Sequence, residues 1–378
     1  MGVGYMLIAD FDVVELSNLS RGVLFRKNDV RYHRSKAEIV ARRAKAIHVM
    51  PQAHVQPFHG DIVWQMGRGV FRRVDVVIGC LDNVEARMAV NAACLFTGTP
   101  YIDGGIRGLA GTVTAVLPPA TACWECTTTA AERAHSADRY DYSCSKVMRR
   151  DLESGRAPTI QVASSIIAGF QTQEAVKVIQ GQPWAAGYMI EYHASGKRPD
   201  LDVVAISRRP GCWCQQAKAI EEVIELPLSA LSHTLEDLLN ALHQRGIPDA
   251  QIALPGSFVV GRYCTTCKRT DSIMKPAFAL DTGVVFCHDC QIKSEKVELL
   301  HLEYLHPASF DALDGGQIYR DRMMKMRLID LGFPPLALVW FSSSGMNGAL
   351  ESVAELSADA ANVMGGQLYA GVRSRQFS

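Results

Sequence analysis

The sequence predicts an α/β fold, with a parallel sheet in its first half and a smaller α+β region behind it. Three observations carry this expectation. Short apolar runs at residues 5–9, 74–80 and 100–103 have the length and composition of strands buried on both faces. Helical stretches stand between them, at the spacing of crossover connections in a parallel sheet. From residue 223 onwards a short strand, a helix over 235–243 and two cysteine pairs read instead as a small α+β unit.

The first run, YMLIA, stops at the carboxylate of Asp10, with Asp12 just beyond. An acid at the carboxyl end of a buried parallel strand is placed to hydrogen-bond a ribose hydroxyl. Asn18, Arg21 and Lys36 follow, polar groups of the kind that grip a polyphosphate. Residues 35–47 read as an amphipathic helix with Ala37, Val40, Ala41, Ala44 and Ile47 on one face. Lys36, Arg42, Arg43 and Lys45 fall elsewhere, and Pro51 closes the helix. Residues 53–57 form a short strand and 74–80 a stronger one, which ends at Leu81-Asp82-Asn83. A helix over 84–96 and a strand at 100–103 come next. Ligands of such sheets bind beyond the carboxyl ends of the strands, where Asp10, Asp82 and Asp103 all fall. Three acids together suggest a nucleotide and a magnesium ion.

Residues 104–117, GGIRGLAGTVTAVL, turn glycine-rich and alternating, which suits strands packed beside the sheet. Residues 127–158 are polar and read as a crossover loop with Cys144 in its middle. A helix over 159–179 follows Pro158 and is ended by Gly181 and Pro183; residues 188–192 and 201–205 return as a hairpin. The first domain is read as residues 1–215 and the second as 216–345. In the second, Pro334-Pro335 divide the apolar stretch 328–342 into at most two short pieces. Residues 346–378 carry little signal and read as a tail.

Lys+Arg and Asp+Glu number 39 each, so no net field draws the chain to nucleic acid or an anionic membrane. No apolar run reaches the roughly 18 residues of a transmembrane helix, and the N-terminus lacks the pattern of a signal peptide. The expected location is cytoplasmic. In a reducing compartment close cysteine pairs more often hold zinc than form disulfides. Eight of the 11 cysteines form such pairs: Cys123/Cys126, Cys212/Cys214, Cys264/Cys267 and Cys287/Cys290. The last two pairs have the C-x2-C-x19-C-x2-C spacing of a zinc ribbon at 264–290. Cys80 and Cys94 read as packing residues, whereas Lys146, Arg149 and Arg150 near Cys144 favour its thiolate.

The ordered segments DFDVVELSNLSR, FRKNDV, the lysine of HRSKAE, CLDNVEAR, GGIRGLAGTV and PPATACWEC resemble the ubiquitin-activating and ThiF/MoeB/HesA-type adenylyltransferases over about residues 1–214. The resemblance implies a Rossmann-like domain that uses ATP and Mg²⁺ to adenylylate the C-terminal glycine of a β-grasp protein, ubiquitin-like or sulfur-carrying. It further implies Asp10 on the ribose, Asn18 and Arg21 on phosphates, Lys36 at the α-phosphate and Asp82 on Mg²⁺. Cys123, Cys126, Cys212 and Cys214 would hold a structural Zn²⁺, with C-x-C in place of the usual second C-x-x-C. Cys144 would form a thioester for delivery to a conjugating enzyme, and a homodimer is the expected assembly. The family also has a strand and a glycine-rich phosphate loop that belong ahead of this stretch, and Gly22 stands where a glutamine is usual. The expectation is that the loop lies upstream or on a partner, or that the chain is a catalytically silent scaffold. A nicotinamide oxidoreductase fits less well, because no glycine fingerprint precedes Asp10.

Overall fold

The computed structural model describes residues 3–47, 53–130, 161–194, 196–215, 219–220, 222–280, 286–287, 289–290, 292–293, 297–305, 309–310, 316–343 and 352–357. They form two compact units, one ending at Ile220 and one beginning after it. Cys144 and nearly all of the expected crossover loop lie outside the described residues.

In the first unit, β1 (Tyr5–Ala9) pairs in parallel with β2 (His54–Phe58), Tyr5 opposite His54 and Ala9 opposite Phe58. Between them in sequence come α1 (Lys27–Arg31) and α2 (Lys36–Ile47), the latter packed on both strands. The buried side of α2 is Ala37, Ile39 and Ala41, while Ile47 is 73% exposed, so the expected apolar stripe is only partly used. The last turn of α2 borders an open apolar recess, where Ala44 and Ile47 meet Val3, Met6 and Val55.

A second sheet has the order β3-β4-β5-β6-β7. After α3 (Gly69–Arg72), β3 (Val77–Gly79) is shorter than expected and β4 (Tyr101–Arg107) longer; the two are parallel and joined by α4 (Val84–Thr97). Asn83 caps α4 by accepting the Ala86 N–H at 2.7 Å, and Gly98, left-handed at φ 67°, ends it. The strands β5 (Ala110–Val116), β6 (Tyr188–His193) and β7 (Asp200–Ala205) complete the sheet, antiparallel in turn. The expected parallel sheet is thus realised, among the described residues, as one parallel pair in each of two sheets. One face of the second sheet is covered by α5 (Gln161–Ile179), with Ile102, Val113, Ile167, Ala175 and Ile190 in the core between them. A Cβ on Gly104 would fall 2.4 Å from the Gln171 side chain, so glycine at that point lets α5 approach β4.

The second unit contains β8 (Ile224–Leu226), α6 (Leu235–His243), β9 (Ala250–Cys264), β10 (Thr270–Pro276), β11 (Phe286–Cys287), β12 (Ile292–Lys293), β13 (Val297–Leu305), α7 (Gly316–Met324), β14 (Leu338–Ser343) and β15 (Ser352–Leu356). Its main sheet runs β10-β9-β14-β15-β8, and β13 also pairs with β9, which makes β9 the spine. Leu235, Leu238 and Leu242 of α6 enter a core with Phe258, Met323, Val339 and Phe341. β15 lies in the stretch expected to be a tail. It is instead an interior strand, antiparallel to β14 and parallel to β8, with Val353, Ala354 and Leu356 buried. No helix among the described residues is long and apolar enough to cross a membrane.

Candidate functional site

The turn after β1 is built from its own polar groups. Asp10 accepts the Asp12 N–H at 2.9 Å and donates its own N–H to the Phe58 carbonyl at 3.1 Å. Lys36 closes the arrangement from the start of α2: its N–H reaches the Asp12 carbonyl at 2.9 Å and its Nζ the Asp12 carboxylate at 2.7 Å. Burial raises the pKa of Asp10, the charges of Asp12 and Asp82 add to the rise, and the Asp12 N–H and Lys36 oppose it. Asp82 is exposed in the turn between β3 and α4. The structure therefore brings Asp10, Asp12, Lys36 and Asp82 into one electrostatic neighbourhood, at the carboxyl ends of β1 and β3.

Asn18 is 5% exposed, and its carboxamide oxygen accepts the Glu15 N–H at 2.9 Å. Its carbonyl accepts the N–H groups of Arg21 and Gly22 at 3.2 and 2.8 Å, so Asn18 folds the turn that presents Arg21. Among the described residues the Arg21 guanidinium has no ion-pair partner. A Cβ at residue 22 would fall 2.3 Å from the Phe25 ring, which gives a local reason for glycine there.

Asp103 does not join the other acids. It lies inside β4 at 2% exposure, where the Tyr101 hydroxyl donates to it at 2.8 Å and Arg87 approaches at 3.6 Å. Burial pushes its pKa up to about 6, against the pull of Arg87 and of hydrogen bonds from Tyr101 and Trp124. The sequence placed this acid at a strand end because β4 was expected to stop there; pairing with β5 carries the strand on to Arg107. Cys94 is buried as expected; Cys80, expected to be a packing residue, is exposed, yet its thiol lies 4.0 Å from Gln171 Oε1 and burial raises its pKa. Sequence reasoning missed Arg87 and Gln171, although Arg87 stands one helical turn after Asn83, on the side of α4 that looks back at the Asp82 turn.

Both cysteine quartets assemble. Cys123 lies 3.8 Å from Cys126 and 3.7 Å from Cys212, and Cys126 lies 3.6 Å from Cys214, measured between sulfurs. In the second quartet Cys267 is 3.7 Å from Cys287 and Cys264 4.0 Å from Cys290. Four thiolates about 2.3 Å from a central zinc stand roughly 3.8 Å apart, whereas a disulfide needs about 2 Å. The donor sets and spacings fit zinc, and the C-x-C pair is accommodated by a 3-10 turn at Trp213–Gln215. Burial pushes the Cys214 thiol up to about 12. Burial acts the same way on Cys126, but backbone N–H groups of Arg209 and Cys123 outweigh it and favour the thiolate. Cys264 is brought down to about 6, chiefly by the backbone N–H of Cys267. The β6–β7 register also gathers Glu191, His193 and Asp202 on the surface, a group the sequence did not suggest.

Comparison with known proteins gives these features a context. The model of the ThiF family matches residues 1–214. The chain is 27% identical over 213 residues to the sulfur carrier protein ThiS adenylyltransferase of Escherichia coli (strain K12), covering 56% of this chain and 76% of that one. It is 35% identical over 120 residues to SUMO-activating enzyme subunit 2 of Dictyostelium discoideum, covering 32% of this chain but 18% of that subunit. With ubiquitin-like modifier-activating enzyme 5 of Drosophila ananassae it shares 30% identity over 192 residues, 47% of this chain and 45% of that enzyme. The chain thus spans less than half the length of these two eukaryotic relatives. A match that extends through more than half of the chain, and takes in the acid turn, Lys36, Asp82 and the first cysteine quartet, places this protein in the ThiF family.

Proposed function

We propose that the chain activates the C-terminal carboxylate of a small β-grasp protein, ubiquitin-like or sulfur-carrying, by ATP-dependent adenylylation. The observation that carries this reading is that Asp10 and Asp82, at two strand ends, and Lys36, at the start of α2, interact electrostatically in a chain of the ThiF family. A carboxylate oxygen of the partner attacks the α-phosphorus of ATP, the bond to the pyrophosphate leaving group breaks, and an acyl adenylate and pyrophosphate result. Both reactants are anions, so the protein's cations screen and orient them.

In this scheme Asp10 accepts from the ribose hydroxyls, and Arg21 and the Asn18 amide donate to phosphate oxygens. Lys36 exchanges Asp12 for the α-phosphate. That exchange costs little, because an ion pair whose acid is 42% exposed is worth about 0–1 kcal/mol. Asp82 would hold Mg²⁺, which when bound neutralises phosphate charge. The two quartets would hold structural Zn²⁺, the second as a ribbon within residues 216–345 that serves as a docking platform. Cys144 would accept the acyl group as a thioester, expelling AMP, before transfer to a conjugating enzyme. A cytoplasmic homodimer completes the proposal.

The test is exchange of labelled pyrophosphate into ATP by the purified chain, with a panel of β-grasp proteins ending in glycine. Exchange stimulated by at least one partner is expected. Background exchange with all of them, while a ThiS adenylyltransferase run in parallel is active, overturns the reading. A reducible adduct lost in Cys144→Ala but kept in Cys80→Ala assigns the thioester; an adduct in both removes Cys144 from that role.

A further inference from the structure

We propose that Arg87 is a positioning residue for Asp82, held in place by Asp103 and by Trp124, which stands between Cys123 and Cys126 of the first quartet. The importance given to Asp82 rests on the adenylylation reading; the latch itself does not.

Arg87 fastens the residue before Asp82 to the neighbouring strand. Its Nε and Nη2 both donate to the Leu81 carbonyl, at 3.1 and 2.6 Å, and Nη2 also donates to the Gly104 carbonyl at 3.1 Å. A planar guanidinium can span two carbonyls in this way, and an ammonium cannot reproduce the fork. A second donor comes from the opposite face: Gln171 of α5, 3% exposed, donates from Nε2 to the Gly79 carbonyl at 2.7 Å and the Ile102 carbonyl at 3.1 Å. The carbonyls of Gly79 and Leu81 are therefore both held from inside the fold, while Asp82 itself stays exposed.

Arg87 is in turn oriented by two groups. The Asp103 carboxylate lies 3.6 Å from its Nε, and the Trp124 ring centroid 5.7 Å from its Cζ. Trp124 also donates a side-chain hydrogen bond to Asp103, and its backbone N–H donates to Asn91 of α4 at 3.0 Å. Trp124 sits between Cys123 and Cys126, so the backbone that presents this ring also presents two sulfurs of the quartet. The first quartet is thereby joined through Trp124, Asp103 and Arg87 to the turn that carries Asp82. A side chain expected to ligate a metal at a site open to solvent gains from such an inner support, because a ligand already in place loses less freedom on binding.

Hydrogen exchange and nucleotide titration on the full chain test this together. In Arg87→Ala, amides in peptides spanning residues 79–86 should exchange about tenfold faster, with the second unit unchanged. Asp103→Asn and Trp124→Phe should each give a smaller acceleration in the same peptides. In the titration, Arg87→Ala should weaken binding of ATP with Mg²⁺ about tenfold and leave binding of ATP in EDTA within about twofold. Unchanged exchange at 79–86, or equal loss of affinity with and without Mg²⁺, overturns the proposal. Should Arg87→Ala not fold, Arg87→Lys replaces it; exchange at residues 79–86 faster than in the wild type supports the latch and wild-type exchange refutes it. A wild-type chain that binds no ATP defeats the adenylylation reading, and the exchange measurement still decides the latch.

Discussion

Lys36 and Asp29 show how differently two charged residues can be used within one short stretch. Lys36 is tied to an acid that solvent also reaches, and in the proposed scheme its ammonium is exchanged to a phosphate. Lys36→Ala is expected to lower the rate of pyrophosphate exchange by 10²–10³, about 3–4 kcal/mol of lost transition-state stabilisation, while Asp12→Ala changes it little. Asp29 is 1% exposed and faces Arg43 at 2.6 Å, and it also accepts the Arg26 N–H at 2.8 Å. Burial alone would raise its pKa, but Arg43 and the Arg26 N–H outweigh that and hold it below the usual carboxylate range. An acid whose pKa is lower in the folded chain contributes stability that is complete above its unfolded value, near 3.9. That stability is lost as pH falls through the folded value. The melting temperature should therefore fall below about pH 4, and Asp29→Asn should cost about 3 kcal/mol at neutral pH and blunt the acid transition. The segment FRKNDV was visible as a motif in the sequence; that its aspartate is buried under an arginine of the next helix was not, because the pairing is tertiary.

At the scale of elements, legibility followed how local the determinants are. Helix α6 agrees with its expected span because its periodicity and cap lie in one stretch. Thr234 Oγ1 accepts the Asp237 N–H at 3.3 Å, Asp237 accepts the Thr234 N–H at 2.8 Å, and Leu235, Leu238 and Leu242 share the buried side. Thr234→Ala should cost about 1 kcal/mol in denaturant unfolding, by removing one half of this capping box. The period of α2 was equally clear, but the sequence does not tell how much surface lies beneath a helix, and Ile47 ends at an open recess. β15 was illegible for another reason. Its five residues SVAEL gain their order from β14 on one side and from β8, far earlier in the chain, on the other. The acid turn after β1 was readable because carboxylates at strand ends stand out in sequence, whereas Arg87 acts through carbonyls that sequence does not display.

For the molecule as a whole, the cysteine spacings were the most informative feature, since ligand pairs separated by long stretches can meet only if the intervening fold brings them together. Purified protein should carry about two zinc ions, and Cys123→Ser and Cys287→Ser should each lose one and keep the other, as metal analysis would show. Loss of both in either variant would contradict two separate sites. The first quartet has a consequence for how the chain is made. Cys123 and Cys212 are 89 residues apart, and a cross-link that closes a loop of that length removes about 4–5 kcal/mol of chain entropy. Translation proceeds at about 5–20 residues per second, so if the quartet holds zinc as proposed, Cys123 and Cys126 wait for seconds as half of its ligand set before the other half leaves the ribosome. During that interval two neighbouring thiols are open to oxidation. Zinc scarcity would lengthen that interval, and peroxide, itself reduced to water, would oxidise the pair to a Cys123–Cys126 disulfide on the nascent chain.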